Sequence, residues 1–156
     1  MKNISKLIVS IASVLIGMLL MPMMLFAAEG MLTGTGTESD PYIINTVNDF
    51  GIIQDGIKSG KSYKNKYFRL ESDIKLPTDW KPLGMLKEGV TDAGNGRNIL
   101  PFSGILDGNG HILTFSKGSK PLFGYVRDAK VENLNIYGEY IDGYGLVENY
   151  VVDWWK

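Results

Sequence analysis

The densest group of chemistry-bearing residues runs Asp107-Gly108-Asn109-Gly110-His111. A carboxylate, an amide and an imidazole so close together invite two readings. The first is a calcium loop, which wants oxygen ligands at its first, third and fifth positions, Gly at the sixth and Glu at the twelfth. Counted from Asp107, those last three positions hold His111, Ile112 and Gly118, so the ligand set fails. Asp-Gly and Asn-Gly instead supply the positive φ that a tight turn needs. The second reading is hydrolysis of a glycosidic bond, which takes two carboxyls roughly 5–9.5 Å apart. Asp107, Asp128 and Glu132 are available, with Asp142 and Glu148 further on. No adjacent pair stands out among them, and turn and surface duty is the ordinary use of such carboxylates.

Other chemistry finds less support. His111 is the one His and there is no Cys, which excludes a multi-imidazole metal site, thiolate ligands and a disulfide framework. No Gly-x-x-x-x-Gly-Lys-Ser/Thr phosphate loop and no Gly-x-Ser-x-Gly elbow occurs. The residues therefore predict no catalytic centre, no metal and no cofactor. Aromatic residues carry the better binding signal. Of 8 Tyr, four fall at Tyr137, Tyr140, Tyr144 and Tyr150. Tyr is rigid with one polar tip and suits sugars and interfaces. Tyr137, Tyr140 and Tyr144 are the ligand-contact candidates, together with Arg97 from the Gly-rich stretch Met85–Pro101. The tyrosines could equally stack along the fold, and the Met85–Pro101 stretch could be a solvated insertion rather than a binding loop.

The elements that would position these residues are short. Between Phe102 and Gly138, apolar alternations of a few residues are separated by Gly, Asn and Asp. That pattern predicts an all-β fold, read here as a single-stranded parallel β-helix, or solenoid, burying its apolar side chains inward. Leu122-Phe123 and Leu146-Val147 lie 24 residues apart, a spacing that suits one solenoid turn. Val131 to Ile136 is expected as a further strand of that turn. Leu122, Phe123, Leu134 and Leu146 are the core candidates. Tyr42–Ile44, Tyr67–Leu70 and Asp73–Leu76 read as earlier strands. Asn45–Gly60 changes period: Phe50, Ile53 and Ile57 recur at helical spacing. Thr46 or Asn48 would cap this short amphipathic helix, Asp49 would sit in its first turn, and Lys58 and Gly60 would mark its end. Its expected role is to cover the open end of the solenoid.

The totals bound the partners. A chain of 156 residues with a net charge of −1 is the size of one domain and carries no overall basic field for nucleic acid or anionic lipid. Lys2 and Lys6 precede an almost uncharged run from Leu7 to Ala28, and Phe26-Ala27-Ala28 offers small residues before Glu29. Residues 1–28 thus read as a signal peptide, or else as a retained membrane anchor, with 29–40 as an extended lead-in and 41–156 as the β-helix. Either form places the remainder outside, secreted or at the cell surface, and any membrane contact would run through that N-terminal segment.

Several stretches carry a resemblance. Asp40-Pro41-Tyr42-Ile43-Ile44, Tyr67-Phe68-Arg69-Leu70-Glu71-Ser72-Asp73-Ile74, Trp80-Lys81-Pro82-Leu83-Gly84, Phe102-Ser103-Gly104-Ile105-Leu106-Asp107-Gly108-Asn109-Gly110-His111 and Val131-Glu132-Asn133-Leu134-Asn135-Ile136-Tyr137-Gly138 fall in order along the chain. Together they resemble the N-terminal part of bacterial secreted β-helix proteins with GLUG-type repeats. Gly145-Leu146-Val147 resembles the start of such a repeat, but Glu148 replaces the Gly that usually follows and the second half is missing. The resemblance therefore implies a chain that stops inside a repeat. It also implies a non-catalytic surface or adhesion-type interaction module, whose partner would be a cell-wall or host glycan or a surface protein. Gly104-Ile105-Leu106-Asp107-Gly108-Asn109-Gly110 resembles a stretch of pectin-degrading β-helix enzymes as well, so a fragment of a polysaccharide-degrading enzyme, or a remnant without independent function, is the alternative.

Overall fold

The helical period of Phe50, Ile53 and Ile57 produces one helix, α1 (Val47–Lys58), with those three side chains buried. Thr46 is its N-cap, in extended geometry. The Asp49 carboxylate reaches back to accept the N–H groups of Asn45 and Thr46 at 2.9 and 2.8 Å and the Thr46 hydroxyl at 3.0 Å. Donors that the first turn leaves without helical partners are thereby satisfied. At the other end Gly60 takes φ 85°. Its N–H donates to Ile57 O and that of Lys61 to Gly56 O, the reciprocal pair of a Schellman stop.

The computed structural model describes residues 30–94, 96–138 and 146–150, the last four by backbone alone. The expected signal segment, the candidates Tyr140 and Tyr144, and the carboxylate Asp142 lie outside the described residues. Around α1 the chain forms short strands: β1 (Tyr42–Ile44), β2 (Tyr67–Leu70), β3 (Ile74–Leu76), β4 (Met85–Leu86), β5 (Ile99–Leu100) and β6 (Ile105–Asp107). They continue as β7 (Ile112–Phe115), β8 (Phe123–Val126), β9 (Lys130–Glu132), β10 (Asn135–Gly138) and β11 (Val147–Tyr150). The sheets run β1-β2-β6-β9, β3-β7-β10 and β8-β11, and every pair in them is parallel. Isolated parallel bridges join Leu83 to Phe123 and Phe102 to Val126. The fold is thus β-rich, mostly strands in parallel sheets with one short helix.

In β2, β3, β6 and β7 alternate residues are buried. Phe68 and Leu106 are paired neighbours in one sheet, Leu76 and Phe115 in the next, and all four are buried. A run of rings crosses the interior: Phe68 and Phe102 have centroids 5.6 Å apart, and Phe102 and Phe123 5.0 Å. Trp80 meets Phe50 of α1 edge-on at 5.9 Å, and its indole N–H donates to Pro121 O at 3.2 Å. The helix therefore shares the core with the strands.

Two expectations need correction. Val131 to Ile136 is not one strand. It breaks at Asn133, whose φ is 52°, into β9 and β10, which belong to different sheets. Leu134 and Ile136 alternate, but the step from Val131 to Leu134 is out of that period, and the corner falls there. Nor is Met85–Pro101 a plain connection, because β4 and β5 pair in it as an antiparallel hairpin. Of the core candidates, Leu122 and Phe123 are fully buried, while Leu134 and Leu146 are half-buried and pack against the core from its edge.

Candidate functional site

The Asp107 motif is a corner between two sheets. Asp107 closes β6, and after Asn109 (φ 50°) and Gly110 (φ 78°) the chain enters β7. One Asp107 carboxylate oxygen accepts the Asn109 N–H at 2.9 Å and the Asn133 side-chain amide at 3.0 Å. The other accepts Arg69 Nε at 3.3 Å. Asn109 Nδ2 donates to Leu70 O at 3.2 Å, and the Gly108 and Gly110 N–H groups donate to Glu132 O and Asn133 O, both at 2.8 Å. The motif thus bonds to the strand on either side of it. Beside it, Asp73 accepts the Ile112 N–H at 2.9 Å and pairs with His111 Nδ1 at 3.1 Å, and these bonds hold its carboxyl below the usual range.

Asp107 is also held below the usual carboxylate range. Partial burial pushes the other way, but the hydrogen bonds from Asn133, Asn109 and Arg69 outweigh it. A general acid for glycoside cleavage needs the opposite shift. The linkage has a definite sign. With its folded pKa below the unfolded value of about 3.9, Asp107 contributes stability that is complete above that value and fades as pH falls through the folded one. Asp107→Asn is expected to cost about 1.5–3 kcal/mol at pH 7, the range for hydrogen bonds to a charged group. The difference from wild type should shrink below about pH 3, as read by urea unfolding across that window. A difference independent of pH would show that the charge contributes nothing.

A cleft lies elsewhere. It has a volume of about 380 Å³ and is formed where the stretch after α1 meets the stretches flanking β5 and following β8. Lys61, Lys64 and Arg127 line it, against one carboxylate, Asp128. Ile57, Leu100 and Pro101 supply apolar wall, and Ser62 and Ser103 add hydroxyls. Lys64 Nζ stands 3.4 Å from Asp128 Oδ2, with both side chains more than half exposed. Lys61 Nζ lies 5.1 Å from the centroid of Tyr63 and 5.8 Å from that of Tyr42, within cation–π range of both faces. Arg127 Nη2 donates to Gly96 O at 2.6 Å, which fixes the guanidinium against the β4–β5 hairpin. The Lys61 ammonium thus lies over two rings that do not line this cleft.

Neither Tyr137 nor Arg97 lines the cleft. Tyr137 is 67% exposed on β10, in register with Thr114 of β7. Arg97 is exposed in the β4–β5 turn, where its Nε donates to Gly94 O at 3.4 Å. Among the described residues no shared hydrogen bond joins Tyr137 to Arg97. The cleft lysines are hidden in the net charge of −1, which averages over them. Yet Lys58, Lys61, Lys64 and Lys66 fall within nine residues that contain no acid, and that local run is the signal that could have found them. Among the described residues no cluster of three or more metal-ligating side chains occurs, and no helix is long and apolar enough to cross a membrane.

What these features define is a β-rich scaffold of parallel sheets with a cleft at its side. No family model matches the chain, and neither a curated protein nor a solved structure does.

Proposed function

We propose that this chain is an exported, non-catalytic interaction module, of cell-surface or adhesion type, built as a parallel β-helix like those of proteins with GLUG-type repeats. The observation that carries the architecture is the advance between paired residues. Phe68–Leu106, Ile74–Leu113 and Leu83–Phe123 are separated by 38, 39 and 40 residues. Leu106–Val131, Leu113–Ile136 and Phe123–Val147 are separated by 25, 23 and 24. Three columns that advance together are what a winding chain produces, and the longer pass accommodates the β4–β5 hairpin. In this reading α1 closes one end and shields the core and strand edges there.

Binding rather than cleavage is supported by Asp107, whose carboxylate is engaged in corner bonds and held ionised. Export is supported by the charged start and apolar run of residues 1–28. The test is to express the full chain in an exporting host and incubate the product with a panel of surface polysaccharides and surface proteins. Retention on at least one surface polysaccharide or surface protein, with no new reducing ends, is expected. Saturable release of reducing ends, abolished by Asp107→Asn in a variant of unchanged circular dichroism, would overturn the reading.

A further inference from the structure

We infer that two copies of this chain join through the ends away from α1, with β9 of one running antiparallel to β9 of the other about a two-fold axis at Val131. The inference rests on the winding architecture proposed above and goes beyond the proposed function by naming one partner, a second copy. Among the described residues β9, β10 and β11 each have a strand on one side only. Lys130 N–H donates to Gly104 O at 3.1 Å, and Glu132 O accepts the Gly108 N–H at 2.8 Å, so these two residues turn their backbone groups toward β6. Alternation along the strand then turns the N–H and C=O of Val131 to the open side. An edge of this kind is a template for another strand. The core runs out here as well. Ile136 is 49% exposed although its paired neighbour Leu113 is fully buried, and Val131 is half-buried beside Leu106.

The opposite end is already covered. Glu71 N–H donates to Ile44 O, which leaves Ile43 as the residue of β1 turned outward, and the Ile43 N–H donates to Thr33 O at 2.9 Å. There α1 also buries Phe50, Ile53 and Ile57 in the shared core. Copies with one open end each can meet only through like ends, and like ends related by a two-fold axis close into a dimer rather than a filament.

Charge favours the antiparallel arrangement. Lys130 Nζ stands 2.8 Å from Glu132 Oε2 on the same strand, and both side chains reach solvent. Pairing about Val131 sets Lys130 of each copy opposite Glu132 of the other, so two cross-strand ion pairs form and no like charges stand opposed. Val131 and its counterpart then exchange N–H···O bonds, the closely spaced pair of an antiparallel ladder. The Lys130–Glu132 contact within one copy is solvent-screened and weak, so each charge is available to a second partner.

The test is sedimentation equilibrium of the full chain over a range of concentrations. A concentration-dependent dimer with no larger species is expected. Lys130→Glu sets acid opposite acid at both contacts, and Glu132→Lys sets base opposite base, so each variant alone should dimerise roughly tenfold more weakly. An equimolar mixture of the two variants restores opposite charges at both contacts and should dimerise within a few-fold of wild type. Circular dichroism checks that the variants fold.

Monomeric wild type at every concentration, variants that dimerise as well as wild type, a mixture no better than its components, or species that keep growing with concentration would each overturn the inference. Monomeric wild type that is still retained on a surface polysaccharide or surface protein would assign this end to another partner and leave the interaction-module reading standing. Release of reducing ends by a chain that passes the charge-swap test would remove that reading and leave the dimer.

Discussion

Replacing Phe102 by Ala is expected to destabilise the protein by about 3–5 kcal/mol, the range for deleting a large aromatic from a packed core. Phe102 is fully buried and sits between the rings of Phe68 and Phe123. Its backbone also bridges to Val126, so the position cannot easily collapse around the void. A domain of this size has about 5–15 kcal/mol of net stability, and the loss would consume a large part of it. Urea unfolding followed by circular dichroism measures the change. Phe102→Leu keeps most of the volume and should cost less than about 1.5 kcal/mol. If the Ala and Leu variants were equally stable, the ring would not bridge Phe68 and Phe123 as described.

The second large effect is at Gly84, where Ala is expected to cost about 3 kcal/mol or more, because two independent effects combine. Gly84 has φ 80°, a left-handed conformation that costs an L-residue roughly 1–2 kcal/mol. A Cβ there would also run into the Tyr125 carbonyl on the next pass of the chain, and that partner is backbone, which cannot swing away. Forcing atoms into such a contact adds about 1–3 kcal/mol. The same residue donates its N–H to Gln54 Oε1 of α1 at 3.2 Å, so a shift would disturb the helix contact too. Gly89 separates the two effects: its φ is 77°, but the space a Cβ would occupy there is open, with nothing within 4 Å. Gly89→Ala should therefore show only the conformational part, about 1–2 kcal/mol. Equal losses at the two glycines, compared by urea unfolding, would remove the close approach of Gly84 to Tyr125 from the account.

Both predictions depend on contacts between segments far apart in the chain, and so do the places where reading the residues alone fell short. The helix was legible because its signals are local. Phe50, Ile53 and Ile57 mark one face, Thr46 and Asp49 start it, and Gly60 ends it. The turn at Asp107–Gly110 was legible for the same reason, since Asn109 and Gly110 carry their positive φ wherever the turn lies. The 24-residue step from Phe123 to Val147 appears in the structure as a parallel pair.

Local signals in the chain mark the helix, the earlier strands and the Asp107–Gly110 turn, because propensity and periodicity act over a few residues. The corner at Asn133 and the meeting of distant charges depend on packing between segments far apart in the chain. Asn133 breaks Val131–Ile136 in two because its side chain and carbonyl engage the Asp107 corner some 26 residues earlier. Lys64 meets Asp128 across 64 residues of sequence, and Arg127 joins them only because β8 ends beside the stretch that follows α1. A hydrophobic pattern reports a side chain's preference for burial. It does not report which distant group stands opposite, and that pairing is what made the corner and the cleft.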